Sequence, residues 1–242
     1  MRDNMVLKCI GLIGGNTTRT KAYLQILFKN NIYINKCYIM SDSEVTLEKE
    51  AAEYNKKNIG LMEQKYFVAE EPILYTLNEN KVDYEIIQTE DINSLIMLDK
   101  IRTLNEDFLI YSGFGGQILK EDLFKLGKKY IHVHAGILPQ YRGSTTVYYS
   151  MINENMCGAS AIFLNPKIDE GDIVASAAYP LPIDGANIDY IYEPWVRAKV
   201  LLKALEEFAD KKKFYPIKQS CENQNIYYII HPVLKHIALL QK

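Results

Sequence analysis

The chain has 242 residues, with 28 Lys and Arg against 30 Asp and Glu and a formal net charge of -2. That balance excludes a global positive field for nucleic acid or an anionic membrane surface, and no apolar run reaches the ~20 residues of a membrane span. Four cysteines (Cys9, Cys37, Cys157 and Cys221) lie far apart without Cys-x-x-Cys spacing, which favours free thiols over a disulfide framework. Residues Met1 to Asn4 lead into a short apolar strand rather than the longer apolar core of a signal peptide, so the cytoplasm is the expected compartment.

The apolar run Val6 to Ile13 reads as a strand. It ends in Gly14-Gly15-Asn16, and Thr17-Thr18 caps a helix through Tyr23, Leu24, Ile26 and Leu27. A second strand over Ile34 to Met40 completes a βαβ unit, whose crossover implies a parallel sheet. Gly14-Gly15 is followed by Asn16-Thr17, so G-x-G-x-x-G is absent and a dinucleotide site is weakly supported. Glu44 to Asn80 reads as a solvated helical pair outside the sheet. Lys81 to Ile87 is a strand, and Asp91-Ile92-Asn93-Ser94 caps a helix through Leu95, Leu98 and Ile101. The buried strand Phe108 to Tyr111 runs into Ser112-Gly113-Phe114-Gly115-Gly116, where the glycines permit either a tight turn or close approach of a ligand to the backbone.

A helix over Glu121 to Leu126 precedes the strand Tyr130 to His134. After Pro139 come a loop, a helix through Val147 and Met151, and strands at Gly158 to Leu164 and Asp172 to Ala178, with Asp169-Glu170-Gly171 as the turn between those strands. A long helix covers about Asp189 to Ala209, with Lys211-Lys212-Lys213 as its solvated flank. The tail carries a strand-like Ile226 to Ile230, then His231-Pro232 and a short apolar helix. The expected division is a main domain over 1–210 and a short extension, 211–242, packed on it.

Two of the four histidines, His132 and His134, stand at i and i+2 on one strand, and so share a face. An imidazole pair with a later carboxylate, Asp169, suits acid/base or oxyanion work, and it is also a metal-ligand pattern. A metal-dependent hydrolase is therefore a competing reading, although the further histidines such a site would need are only His231 and His236 in the tail. Arg142 is either a ligand for a phosphate or carboxylate or a solvated loop arginine.

Three segments, in order, resemble the formyltransferase family of glycinamide ribonucleotide transformylase, methionyl-tRNA formyltransferase and sugar N-formyltransferases. The first runs from Asp91 through Asp107-Phe108-Leu109-Ile110 to Gly113-Phe114-Gly115-Gly116-Gln117-Ile118-Leu119 and is similar to the family's lead-in strand and glycine turn. The second, His132-Val133-His134-Ala135-Gly136-Ile137-Leu138-Pro139, resembles its Asn-x-His-x-Ser-Leu-Leu-Pro motif. The third, Tyr141-Arg142-Gly143 with Ile168-Asp169-Glu170-Gly171-Asp172-Ile173, resembles its downstream loop and acidic turn.

The resemblance implies an α/β, Rossmann-like formyltransferase fold with a mostly parallel sheet flanked by helices. It also implies transfer of a formyl group from 10-formyltetrahydrofolate, as donor co-substrate, to an amine. It makes His134 and Asp169 the catalytic His and Asp, and puts His132 at the motif's Asn, where the expectation is that an imidazole replaces the amide donor. Gly113, Phe114, Gly115, Gly116, Gln117 and Ile118 would contact the folate, Arg142 and Gly143 the acceptor, and no metal is called for. Methionyl-tRNA formyltransferases carry a further C-terminal domain, and no basic face is visible here. The expected acceptor is therefore a small-molecule amine, most simply a nucleotide-linked amino sugar, with neither nucleic acid nor membrane as partner and a homodimer left open. A formyltransferase fold turned to binding alone stands as the third reading.

Overall fold

The computed structural model of the protein describes residues 4–54, 65–220 and 225–241. The chain forms two compact units, residues 1–131 and 132–242. In the first, the apolar run expected as one strand is two: β1 (Met5–Leu7) and β2 (Ile10–Gly15). Helix α1 (Thr18–Lys29) follows. The Thr17 side chain accepts from the Thr20 N–H, and Ala22, Tyr23, Leu24, Ile26 and Leu27 make its buried stripe. The next expected strand, Ile34 to Met40, is likewise not one strand: Ile34 ends β3 (Ile32–Ile34), and Cys37–Met40 forms β4. The cause is partner choice: β1 pairs in parallel with β3, whereas β2 pairs in parallel with β4. Hydrophobic patterning reports burial and not the pairing partner, so both breaks are invisible to it.

Helix α2 (Glu44–Glu53) buries only Leu47, as a solvated helix should. Helix α3 (Ile73–Glu79) corrects the expectation for this stretch. It buries Ile73, Leu74, Thr76 and Leu77 and packs against α1, so it covers the core. The charges of the preceding segment dominated the sequence pattern. Residues 55–64 of that segment lie outside the described residues.

Strand β5 (Tyr84–Ile87) extends the sheet beside β4, and Ser94 caps α4 (Leu95–Arg102) by accepting from the Met97 N–H. After β6 (Phe108–Ser112) and the short α5 (Glu121–Phe124), β7 (Lys129–His134) leads into the second unit. The resulting order β5-β4-β2-β6-β7 is parallel at every step. This is the mostly parallel, helix-flanked α/β architecture expected.

The second unit contains β8 (Arg142–Gly143), α6 (Thr146–Glu154), and the antiparallel pair β9 (Met156–Phe163) and β10 (Ile173–Pro180). Helix α7 (Glu193–Lys211) packs on β9 and β10, preceded by one π-helical turn at Ile188–Tyr192. The tail strand is shorter than expected: β11 (Ile226–Tyr227) pairs in parallel with β8. It stops there because the Ile230 N–H turns to the Thr145 hydroxyl oxygen, 2.8 Å away, instead of continuing a ladder. Helix α8 (Pro232–Leu240) closes the described chain against α6.

Cys9, Cys37 and Cys157 are free thiols, and Cys221 lies outside the described residues. Among the described residues no helix is long and apolar enough to cross a membrane.

Candidate active site

Strand β7 ends by presenting His132 and His134 on one face, the first half-buried and the second 6% exposed. The imidazole of His134 is engaged at both nitrogens. Nε2 lies 2.6 Å from the Tyr141 carbonyl oxygen and 3.3 Å from Thr146 Oγ1, and Nδ1 lies 3.3 Å from Asp169 Oδ1. The Thr146 hydroxyl spends its proton on the Ala135 carbonyl, 2.5 Å away. The Tyr141 carbonyl and the Asp169 carboxylate are both acceptors, so each ring nitrogen of His134 faces one.

Asp169 reaches this ring from the turn between β9 and β10, with a backbone φ of 54° in the left-handed region. Its second oxygen, Oδ2, accepts the Gly143 N–H at 2.9 Å. Burial pushes its carboxyl up, but the hydrogen bond and charge of His134, the Gly143 N–H and the nearby His132 outweigh that and hold it below the ordinary carboxylate range. Asp169 is thus ionised at neutral pH.

The turn is packed to the limit. A Cβ at Gly171 would collide with the Phe163 carbonyl oxygen, and one at Gly143, where φ is +100°, would collide with that of Tyr227. The three residues proposed for catalysis from sequence therefore lie in one cluster within the second unit. Around it are two that sequence reasoning overlooked, Tyr141 and Thr146. Tyr141 acts through its carbonyl, which no side-chain pattern reveals.

Arg142 is not a solvated loop arginine. It is 6% exposed; its Nη2 donates to Gln219 Oε1 at 2.8 Å, and its Nη1 is 3.6 Å from Glu170 Oε1. Gln219, also missed, sits in a stretch without periodicity or motif. Elsewhere, His231 is an exposed N-cap for α8, its Nδ1 accepting from the Val233 N–H at 3.3 Å. Among the described residues no three or more His, Cys, Asp or Glu side chains group as a metal site.

With this geometry in view, the family model described as formyl transferase matches residues 7–190, most of the chain and the whole cluster except Gln219. The chain belongs to the formyl transferase family. A methionyl-tRNA formyltransferase from Finegoldia magna is 34% identical over 92 residues, which are 38% of this chain and 30% of that protein. The chain spans about a third of the length of the curated relatives first matched.

Two solved structures share the fold. One is a sugar N-formyltransferase from a Shewanella species, at TM-score 0.56 and 17% identity, covering 96% of this chain and 87% of that one. The other is the N-formyltransferase from Helicobacter canadensis in complex with folinic acid and dTDP-3-aminofucose, at TM-score 0.55 and 15% identity, covering 92% and 71%.

The glycine turn lies in the first unit and is built differently from the acidic turn. Asn93 Nδ2 donates to the Ile118 carbonyl at 3.0 Å, and Asn93 Oδ1 accepts the Lys120 N–H at 2.7 Å. Gln117 Nε2 donates to the Glu90 carbonyl at 2.6 Å, while its Oε1 accepts from the Tyr111 hydroxyl at 3.2 Å. Burial pushes the Tyr111 phenol up to about 12, against the opposing charge of Arg19. Arg19 itself donates to the Gly113 carbonyl. Phe114 places its ring where a Cβ of Gly15 would stand. Gly115 and Gly116 are exposed with open space above them, and Gly116 has a φ of +80°. That open space beside the backbone suits close approach of a ligand.

Proposed function

We propose that the protein transfers a formyl group from 10-formyltetrahydrofolate to the amine of a nucleotide-linked amino sugar. The observation that carries this reading is the buried His134–Asp169 pair, with the Asp169 carboxyl held below its ordinary range, beside His132. Formyl transfer to an amine builds negative charge on the formyl oxygen in the tetrahedral intermediate, and preorganised positive charge and N–H donors lower that barrier. His134, oriented by Asp169, stands ready to relay the proton that leaves the amine. His132 supplies a ring N–H where the family motif has an amide; one such donor is worth ~10²–10³ in rate.

The amine lone pair forms the new C–N bond, and the bond from the formyl carbon to the folate nitrogen breaks. The amine proton leaves toward the Asp169–His134 pair and ends on the folate nitrogen, so atoms and charge balance.

In this proposal Gly113 to Ile118 contact the donor, because Gly115 and Gly116 leave their backbone open. Arg142 and Gly143 serve the acceptor through the turn they hold. Residues 1–210 form the catalytic part and 211–242 an extension that braces it. The Helicobacter canadensis enzyme, which shares the fold and holds folinic acid and dTDP-3-aminofucose, supports the choice of donor and acceptor class. The net charge of -2 agrees with an acceptor other than tRNA.

The test is incubation with 10-formyltetrahydrofolate and, separately, dTDP-3-aminofucose, glycinamide ribonucleotide and methionyl-tRNA, with tetrahydrofolate release and product mass followed together. Formylated nucleotide sugar with equimolar tetrahydrofolate is the expected outcome. Turnover with either of the other acceptors alone would overturn the sugar assignment, and none with any of the three would count against formyl transfer.

A further inference from the structure

We propose that Gln219 is a positioning residue for Asp169, so that the extension after residue 210 is a working part of the site. The kinetic arm of this proposal rests on the formyl-transfer reading above; the geometric arm does not.

One side-chain amide ties three points together. Its Nε2 donates to the Asp169 carbonyl at 2.8 Å and to the Gly171 carbonyl at 2.7 Å, bracketing Glu170. Its Oε1 accepts from Arg142 Nη2 at 2.8 Å and from Nε at 3.3 Å. Both amide protons and the amide oxygen are used, and no other side chain of this size offers two donors and an acceptor in one plane.

The turn needs such a clamp. Asp169 holds a φ of 54°, a conformation that costs a non-glycine residue free energy and persists only where its surroundings impose it. That backbone sets where the carboxylate stands, with Oδ1 toward His134 and Oδ2 on the Gly143 N–H.

Gln219 is itself held on both sides. Two residues before it, Ile217 exchanges both backbone hydrogen bonds with Ile173, each at 2.8 Å. Further along the tail, the Asn225 carbonyl accepts the Arg142 N–H at 3.1 Å, and the Tyr227 carbonyl accepts the Ser144 N–H at 2.9 Å. The tail is therefore anchored to the start of β10 and to β8, the two segments that flank the Asp169 carboxylate, and the amide between those anchors has a fixed origin.

The experiment uses the full chain with Gln219→Ala and Gln219→Met. Met keeps the length and bulk of the side chain and removes its hydrogen bonds. Each variant is checked for melting temperature, for kcat and KM of formyl transfer across pH, and for the ¹³C titration of the Asp169 carboxyl. The groups acting on that carboxyl are His134 and His132 from β7 and the Gly143 N–H from β8, while Arg142 and Lys167 pair with Glu170 beside it in sequence.

Both variants should lower kcat by about tenfold to a hundredfold, the scale of a misplaced catalytic group, and leave KM within about threefold of wild type. The acid limb of kcat should move to higher pH, and the Asp169 carboxyl should titrate nearer the ordinary range. A Met variant with wild-type kcat and an unmoved acid limb would overturn the proposal, because packing alone would then suffice. If the wild-type protein transfers no formyl group, the reaction assignment falls and the carboxyl titration decides alone: an unchanged Asp169 in both variants sinks the positioning role. Should Gln219→Ala fail to fold, Gln219→Met carries the same readouts.

Discussion

The two glycine-bearing turns of this chain solve opposite problems. The turn Gly113–Ile118 is anchored at its shoulders, by Asn93 and by Gln117 with Tyr111, and leaves Gly115 and Gly116 open to solvent. The turn Asp169–Gly171 is closed on every side: Phe163 against Gly171, His134 and Gly143 against the carboxylate, and Gln219 across the backbone. An open turn lends its peptide groups to a visitor, whereas a closed one fixes a charge. Gly115 and Gly116 leave open space in the first, whereas Gly171 serves crowding in the second.

The largest contrast should appear on adding one methyl group to each. Gly171→Ala drives a Cβ into the Phe163 carbonyl, a backbone atom that cannot step aside, and should cost about 3 kcal/mol of stability, the upper part of the overpacking range. Denaturant midpoints at constant m-value would show it; a loss within error of zero would mean the turn is looser than described.

Next in size is a pH effect confined to the closed turn. The folded-state carboxyl of Asp169 is held low, so its stabilising contribution is complete above the unfolded-state value of about 3.9 and is lost as pH falls through the lower folded value. The stability gap between wild type and Asp169→Asn should be constant from neutral pH to about 5 and close only in stronger acid. A gap that already closes between pH 7 and 5 would contradict a depressed carboxyl.

The smallest effect belongs to Gly116→Ala. The added Cβ meets nothing, and only the φ of +80° resists, which should cost about 1 kcal/mol.

Much of this was legible in the sequence. Strand β7 with its histidine pair, the capped helix α1 and the acidic turn all announce themselves locally, through alternation, a Thr cap and an Asp-Glu-Gly triplet. Membership in the family follows from motifs in order. The remainder depends on partners distant in sequence. The runs behind β1/β2 and β3/β4 are apolar enough on both sides of Lys8 and of Asn35-Lys36 to read as continuous, and pairing separates them. Arg142 reads as a loop residue until Gln219, far along the chain, accepts its protons. The role of Tyr141 at His134 is carried by a backbone carbonyl, which its side chain does not advertise. Helix α3 hid its apolar face behind the charges of its neighbour.

The central proposal is that the Asp169 charge, set against the His134 ring, promotes formyl transfer. Its most direct test is kcat/KM for tetrahydrofolate release from 10-formyltetrahydrofolate in the presence of dTDP-3-aminofucose, compared between wild type and Asp169→Asn at neutral pH. Asparagine preserves the shape and removes the charge. A loss of about 10³-fold or more, with the fold intact, is the predicted result, on the scale of removing a preorganised electrostatic group. A variant within about threefold of wild type would contradict the account.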